Sequence, residues 1–223
     1  MPTRIAIWIA KALAVFIALS LVLVVLFRFV PVTYTLTMLM DENKVTRDWE
    51  SLSQIDRNMV SAVIGGEDSK FCTHNGFDTE AIEEAIEERL SGERERGAST
   101  ISQQTAKNVF LWQGGGFFRK GLEAWFTFLI ETFWTKRRIM EVYLNVAETG
   151  IGTYGVEAGS LRYFDHTAAR LSRDEASRIA AALPSPKRRE VVNPSGFTRR
   201  YGNTIEARIG VVRRDGLDAC VYD

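Results

Sequence analysis

The chain is organised around one short stretch, Gly66-Glu-Asp-Ser-Lys-Phe-Cys-Thr-His-Asn-Gly-Phe-Asp78. A mostly apolar run, residues 59–64, precedes it with the spacing of a buried helix face. The acid pair Glu67 and Asp68 then falls at the end of that helix. A half-buried carboxyl group there has a raised pKa, which suits general acid–base chemistry. Taken alone, the pair is better explained as solvated helix-end residues, so the remaining motifs must decide.

Composition limits the possible partners of the chain. Among 223 residues, Lys plus Arg and Asp plus Glu both number 28, so no overall positive charge attracts nucleic acid, and we predict no nucleic-acid partner. Any anion site must therefore be local. The two cysteines, Cys72 and Cys220, lack metal-binding spacing. They are either free thiols or one long-range disulfide.

The N-terminus has the composition of a membrane anchor. Residues 12–27 carry no charge, and the whole apolar stretch exceeds the roughly 20 residues that span a bilayer. A cleaved signal peptide is the alternative, but no small-x-small site closes the run. We therefore predict an uncleaved segment and divide the chain into a cytoplasmic N-terminus at 1–11, a transmembrane signal-anchor helix at 12–32, a membrane-proximal connection at 33–55 and a globular domain at 56–223.

Flanking charges predict the orientation of this anchor. Arg4 and Lys11 precede the apolar run and Arg28 follows it, which weakly favours a cytoplasmic N-terminus. The protein would then cross the membrane once, with its globular part outside the cytoplasm. In a bacterium with two membranes, that places the domain in the periplasm.

Helical periodicity dominates the globular part, so the predicted fold class is mostly α. Asp56 caps the first helix, and Ser172 with Glu175 forms a capping box for a later one. Residues 33–40 alternate weakly, as an edge strand or a linker would. Further helices are predicted after Asp78 or Thr79, within residues 97–108, and near residues 119–135, 136–145, 156–164 and 197–214.

A polar motif follows the second helix: Gly97-Ala-Ser-Thr-Ile-Ser-Gln-Gln-Thr-Ala-Lys-Asn108. On a helix, Thr100, Gln103, Gln104 and Lys107 share one face. Burying these polar side chains costs free energy unless they form hydrogen bonds, for example to a ligand. We interpret it as a ligand-facing surface; the alternative is an ordinary helix start capped by Ser99 or Thr100.

Residues 119–135 combine a polar ladder at every fourth position with many aromatic side chains. This pattern fits a core helix with one polar face exposed to solvent, or a segment at the membrane interface. Arg119, Lys120 and Glu123 lie within one turn at its start. Cations at a helix N-terminus hold phosphate, and the carboxylate is able to hold a cation.

Four motifs occur in order: Glu67-Asp-x-x-Phe-x-x-His-x-Gly-Phe-Asp78, Gly97-x-Ser-Thr-Ile-x-Gln-Gln104, Arg119-Lys-x-x-Glu123 and Lys136-x-x-Ile-Met-Glu-x-Tyr-Leu-Asn145. Together they resemble the bacterial peptidoglycan glycosyltransferases. The resemblance implies a lysozyme-like, two-lobed, α-helical glycosyltransferase domain at 56–223 with one N-terminal transmembrane helix. Ser-x-x-Lys and Lys-Thr-Gly motifs are absent, so the chain resembles the monofunctional type.

The resemblance also implies the reaction and its residues. The enzyme would polymerise lipid II at the inner membrane, transferring the lipid-linked glycan to an acceptor C4 hydroxyl with inversion and releasing undecaprenyl diphosphate. Glu67 matches the general base, and Glu123 matches a second carboxylate that assists the leaving diphosphate, directly or through Mg²⁺ or Mn²⁺. The implied substrate-binding residues are Ser99, Gln103, Gln104, Lys107, Arg119 and Lys120; the implied loop-shaping residues are Asp68, Phe71 and His74.

The implied partners are lipid II, the growing lipid-linked glycan, the membrane, and cell-wall synthesis or division proteins. One departure is that Gln113-Gly-Gly-Gly116 stands where related sequences usually carry an Arg. Two alternatives remain. One is a lytic enzyme on the same scaffold with Glu67 as acid, although glycan cleavage has no use for a diphosphate site. The other is a non-catalytic membrane scaffold that binds lipid II.

Overall fold

A computed structural model describes residues 2–91 and 99–222, and within them the chain is mostly α-helical, as predicted. Gly97 of the second motif lies outside the described residues. The helices are α1 Pro2–Phe29, α2 Leu36–Leu39, α3 Arg57–Glu67, α4 Thr79–Ser91, α5 Ile101–Phe110, α6 Gly116–Phe133, α7 Lys136–Val146, α8 Val156–Phe164, α9 Arg173–Ala182, α10 Gly196–Arg214 and α11 Ala219–Tyr222. The strands are β1 Thr46–Arg47, β2 Glu148–Gly150 and β3 Thr153–Tyr154.

Short polar side chains begin several helices where the sequence predicts them. The Asp56 carboxylate accepts a hydrogen bond from the Asn58 amide at 2.7 Å and caps α3. Ser172 and Glu175 form the predicted capping box of α9. These caps satisfy amide groups that have no partner inside the helix, so they fix where each helix starts.

The helices pack in two groups, which gives the predicted two-lobed form. Helices α3, α9 and α10 pack against one another, whereas α5 packs on α6 and α7, and α6 also contacts α1. Gly65 and Gly66 allow α10 to approach the end of α3. A Cβ atom at Gly66 would lie 2.9 Å from Ile205 Cδ1, and one at Gly65 would lie 3.0 Å from Arg208 Cβ.

The strands form one small sheet in the order β1-β3-β2, with β1 parallel and β2 antiparallel to β3. The edge strand considered for residues 33–40 is absent, because Leu36–Leu39 forms α2 instead. The Thr35 hydroxyl accepts a hydrogen bond from the Met38 amide at 3.2 Å and caps this turn. The buried side chain of Met38 holds the turn against the core.

Helix α1 has the dimensions and exposure of a membrane span. Its residues Thr3–Phe29 are long and apolar enough to cross a bilayer, and only 11% of the most apolar window is buried. The helix is continuous from Pro2 to Phe29. It therefore includes most of the predicted anchor and part of the predicted cytoplasmic terminus, while the membrane boundaries at residues 11 and 32 remain predictions.

The C-terminal end of α1 is bound to the globular domain. Trp134 Nε1 donates a hydrogen bond to Val24 O at 2.8 Å, and Arg138 Nη2 donates to Phe27 O at 2.8 Å and Val30 O at 2.7 Å. Helix α1 thus joins the domain through direct contacts as well as through the chain.

A disulfide joins Cys72 to Cys220, which decides between the two states that the sequence left open. The same C-terminal segment is held by Asp218, a buried carboxylate that accepts two hydrogen bonds from Arg57 at 2.8 and 2.9 Å. The chain after α10 is therefore fastened to α3 and to the loop that follows Glu67.

Removing this disulfide should lower the melting temperature by roughly 5–15 °C, because a crosslink that closes a long loop restricts the unfolded chain. The variant is Cys72→Ser/Cys220→Ser, melted in detergent with circular dichroism as the readout. Dithiothreitol should lower the melting temperature of the unmodified protein to a similar degree and leave the variant unchanged. Equal melting temperatures for oxidised and reduced protein would contradict the prediction.

Candidate active site

Glu67 is the last residue of α3, and its side chain contacts α5 of the other helix group. Its Oε2 accepts a hydrogen bond from Gln104 Nε2 at 3.0 Å, and Gln104 Oε1 accepts one from the Tyr143 hydroxyl at 3.3 Å. Its other oxygen, Oε1, is buried and has no hydrogen-bond partner in the described chain. One carboxylate oxygen is thus held in place, and the other is available to accept a proton.

Burial raises the pKa of the Glu67 carboxyl above its ordinary value, and the hydrogen bond from Gln104 only partly offsets this effect. Nearby cations, Arg189 and Lys107, also act to lower that pKa. The net direction is upward. A carboxylate with a raised pKa accepts a proton from a sugar hydroxyl more readily than an ordinary surface carboxylate does.

Asp68 and His74 form the support of the loop after Glu67. Asp68 Oδ2 accepts a hydrogen bond from the Ile101 amide at 2.9 Å, and Asp68 Oδ1 lies 2.9 Å from His74 Nε2. Because the Gly76 amide donates to His74 Nδ1 at 3.1 Å, Nε2 carries the proton and donates to Asp68. Phe71 is fully buried beneath this loop. These contacts are those that a loop-shaping role requires.

Sequence reasoning assigned no role to Lys136 or Glu131, which complete that support. Lys136 Nζ donates to His74 O at 2.7 Å and to Glu131 Oε1 at 2.8 Å, and it lies 4.6 Å from the centre of the Phe71 ring. Ser102 donates a further hydrogen bond to Glu131. Both residues belong to patterns noted in the sequence: Lys136 begins the fourth motif, and Glu131 lies in the polar ladder of α6.

Glu123 anchors a second cluster on α6. Its side chain is 2% exposed, and it accepts hydrogen bonds from Arg119 Nη1 at 2.6 Å and from Lys120 Nζ. Lys120 also lies 3.3 Å from the Ser99 hydroxyl, which accepts a hydrogen bond from it. Spacings of three and four residues on one helix bring these groups together, as the motif predicted. The cluster presents two cations around one buried carboxylate.

Lys107 lies between the two clusters. It interacts electrostatically with Glu67 on one side and with Glu123, Arg119 and Lys120 on the other, and burial lowers the pKa of its ammonium group. Within the described ranges, Lys107 Nζ makes no hydrogen bond or ion pair. A partly desolvated cation without a fixed partner is suited to bind an anion.

The two glutamines of the polar motif have different positions. Gln104 reaches Glu67, whereas Gln103 is buried and forms a capping box with Thr100 at the start of α5. Gln103 Oε1 accepts the Thr100 amide at 3.0 Å, so this oxygen is already engaged. The signal Thr-x-x-Gln was readable in the sequence as a capping box. Substrate binding by Gln103 stays a prediction.

One of the glycines before α6 lies close to Arg119, in the segment Gln113–Gly116 that stands where related sequences usually carry an Arg. Gly115 has a φ of +87°, and a Cβ there would lie 2.9 Å from Arg119 Cβ. The Arg119 guanidinium donates a hydrogen bond back to Gly114 O. Gly115 therefore makes room for the side chain of Arg119, whereas a Cβ at Gly114 or Gly116 would meet nothing within 4 Å.

The residues of this site do not fit a pre-formed metal centre. Across the residues that the structure describes, no group of three or more His, Cys, Asp and Glu side chains is placed to hold an ion. Both oxygens of Glu123 are already engaged by Arg119 and Lys120. The predicted requirement for Mg²⁺ or Mn²⁺ therefore remains a prediction, and no catalytic step is derived through a metal.

Several aromatic side chains of α6 face outward, and others contact α1. Phe117 is 97% and Phe118 is 74% exposed, while Phe16 of α1 packs against Trp125 and Phe126 with ring centres 6.4 and 6.3 Å apart. Exposed aromatic rings beside an apolar anchor helix are typical of a membrane interface. Helix α6 thus has a polar stripe that is largely buried and an exposed aromatic face, and its location at a membrane interface stays a prediction.

The domain is helical and two-lobed, with a buried carboxylate in one lobe and a cationic cluster in the other. This arrangement fits a glycosyltransferase that acts on a diphosphate-linked sugar. Comparison with known proteins agrees. The family model described as Transglycosylase matches residues 34–208. The chain therefore belongs to the transglycosylase family, and it is a peptidoglycan glycosyltransferase.

Individual relatives cover nearly the whole chain. The chain is 48% identical over 210 residues to a protein of Caulobacter vibrioides, covering 93% of this chain and 92% of the relative. It is 50% identical over 179 residues to one of Rhodospirillum centenum, covering 80% and 78%. It is 48% identical over 201 residues to one of Pseudomonas aeruginosa, covering 85% and 86%. All three are named biosynthetic peptidoglycan transglycosylase.

Proposed function

We propose that the protein polymerises peptidoglycan glycan strands from lipid II, with Glu67 as the general base. The observation that carries this proposal is the buried Oε1 of Glu67, which has no hydrogen-bond partner among the described residues. Lys107 interacts electrostatically both with Glu67 and with the Arg119–Glu123 cluster, which links the two parts of the site. The acceptor C4 hydroxyl would donate its proton to Glu67 Oε1. Its oxygen would then attack the anomeric carbon of the donor.

The cationic cluster supplies the other half of the reaction. As the new glycosidic bond forms with inversion, the bond between the anomeric carbon and the diphosphate oxygen breaks, and the electron pair leaves with undecaprenyl diphosphate. Lys107, Arg119 and Lys120 stabilise this negative charge as it develops on the leaving oxygen. Glu123 keeps two of these cations oriented, and Ser99 and Gln104 complete the hydrogen-bonding surface.

Incubation of the detergent-solubilised full chain with labelled lipid II tests this function. Formation of polymeric glycan supports the synthase. Loss of pre-made glycan would support the lytic alternative, and binding without product would support the scaffold. The comparisons favour neither alternative, and the cationic cluster has no function in plain glycan cleavage.

Replacing Lys107 with Ala should raise KM for the donor about tenfold with a smaller effect on kcat, because one charge-assisted contact to the diphosphate is lost. Initial rates at varied lipid II concentration measure this effect. Lys44→Ala, which removes an exposed lysine that has no assigned role in the site or the anchor, is the matched control. Unchanged turnover at low donor concentration would show that Lys107 does not bind phosphate.

We also propose an inner-membrane location with the catalytic domain in the periplasm. Three features support it: the exposed apolar helix α1, the outward aromatic rings of α6, and the Cys72–Cys220 disulfide. Disulfides persist in oxidising compartments such as the periplasm and are rare in the cytosol. Cell-wall synthesis or division proteins remain predicted partners.

A further inference from the structure

Arg189 lies in the loop after α9, near Glu67. It was assigned no role from the sequence. Its side chain is held by two elements. Arg189 Nη1 donates a hydrogen bond to Ala181 O at 2.8 Å, and its guanidinium lies 5.1 and 5.7 Å from the ring centres of Phe197 and Tyr201 on α10. A guanidinium stacked on aromatic faces and hydrogen-bonded to a helix carbonyl has little freedom to move.

The same aromatic residue connects Arg189 to the candidate base. The Tyr201 hydroxyl donates to Gly66 O at 2.6 Å, directly before Glu67. Arg189 acts electrostatically on Glu67 and on Tyr201, yet it forms no direct ion pair with Glu67 in the described chain. Its contacts with Ala181 and Tyr201, together with the hydrogen bond from Tyr201 to Gly66, hold a positive charge beside the end of α3, next to Glu67.

We propose that Arg189 is a positioning residue for Glu67, holding a fixed positive charge from the α9–α10 side so that the base is ionised when the acceptor hydroxyl arrives. This inference rests on the proposed role of Glu67. After proton transfer, the same charge favours release of the proton to solvent, which returns the base to its ionised form for the next addition.

The other charged and titratable groups around Glu67 do not replace this function. Lys107 acts in the same direction, but its charge would be compensated once the donor diphosphate binds. Asp68 acts in the opposite direction and is engaged with His74 and the Ile101 amide. Among the described residues, Tyr143, Tyr201 and Arg208 also lie near Glu67, and Arg208 donates to Gly65 O at 2.9 Å.

The test compares the pH dependence of kcat/KM in the full-length protein and in Arg189→Gln, which keeps a hydrogen-bond donor for Ala181 but removes the charge. The acidic limb should move upward by roughly one pH unit, because one nearby cation is lost. On that limb kcat/KM should fall about tenfold, while the alkaline plateau stays unchanged. Arg189→Lys should restore most of the original profile.

Arg200→Gln is the matched control, since Arg200 is an exposed arginine beside Tyr201 on the same helix. Its profile should follow that of the unmodified protein. An unmoved acidic limb in Arg189→Gln, or an equal fall in kcat/KM at every pH, would overturn the proposal, because either outcome assigns Arg189 no influence on the ionisation of the base.

A second measurement separates this inference from the proposed function. The Glu67 pKa is followed by ¹³C NMR of carboxyl-labelled glutamate in detergent, with the signal assigned by its absence in Glu67→Gln. A rise of that pKa in Arg189→Gln supports the inference, and no rise overturns it. If Glu67→Gln still polymerises lipid II, the base assignment fails even where the NMR shift is present.

Discussion

Replacing Glu67 with Gln is expected to reduce kcat/KM for polymerisation by roughly 10²–10⁴-fold, the contribution typical of a positioned general base. The amide has nearly the same shape as the carboxylate and is able to accept a hydrogen bond from Gln104 through its oxygen. It has no capacity to take the proton of the acceptor hydroxyl. The loss should therefore appear in the rate of bond formation while substrate binding persists.

Two measurements make this prediction specific. The melting temperature of Glu67→Gln should equal or exceed that of the unmodified protein, because a desolvated charge has been removed. Glu83→Gln, an exposed acid on α4, should polymerise lipid II at the normal rate. Normal turnover by Glu67→Gln would exclude Glu67 as the base.

The rate of polymerisation should depend on pH through the ionisation of Glu67. Because burial raises the pKa of Glu67, its ionised, active form is lost at a higher pH than for an ordinary glutamate. Activity should therefore be greatest above that pKa and decline as the pH falls through it. This direction follows from a base that must be deprotonated to act.

Replacing Glu123 with Gln should have the second-largest effect, a fall in kcat of about 100-fold, similar to the loss of one preorganised electrostatic contact. The neutral side chain leaves Arg119 and Lys120 without their shared counter-ion. Because Glu123 is almost completely buried, no water substitutes for it fully. The two cations would then be free to turn towards solvent, and the leaving diphosphate would find them poorly oriented. Single-turnover rates with saturating lipid II measure the effect.

A surface ion pair provides the comparison for Glu123. Arg214 and Asp215 also form an arginine–carboxylate pair, at 2.8 Å, but both side chains are largely exposed. Asp215→Asn should change neither polymerisation nor melting temperature measurably, since exposed pairs contribute little. If Glu123→Gln polymerised lipid II as fast as Asp215→Asn, the buried cluster would have no function in leaving-group departure.

The features that could be predicted from sequence are those whose causes lie within a few residues. Capping of α3 by Asp56 and of α9 by Ser172 depends on side chains one to three positions away. The pairing of Arg119 and Lys120 with Glu123 depends only on the period of one helix. Local periodicity and capping therefore identified most helices and one complete cluster of the site.

The features that could not be predicted join segments far apart in the chain. Tyr143 reaches Gln104 across 39 positions, and Tyr201 reaches Gly66 across 135. Local sequence patterns do not predict which distant side chain forms such a hydrogen bond. The same reason explains why Arg189 was missed and why the pairing of Cys72 with Cys220, separated by 148 positions, stayed open until the structure joined them.

The hydrogen bonds from Trp134 and Arg138 to the carbonyl groups of α1 have a consequence for how the enzyme samples a bilayer. A catalytic domain joined to its anchor by a flexible linker would rotate freely. In most of its encounters with lipid headgroups, the active site would then not face the membrane. If α1 spans the bilayer as proposed, these hydrogen bonds would restrict rotation of the domain relative to its anchor. The search for substrate would then be mainly lateral diffusion in the plane of the membrane.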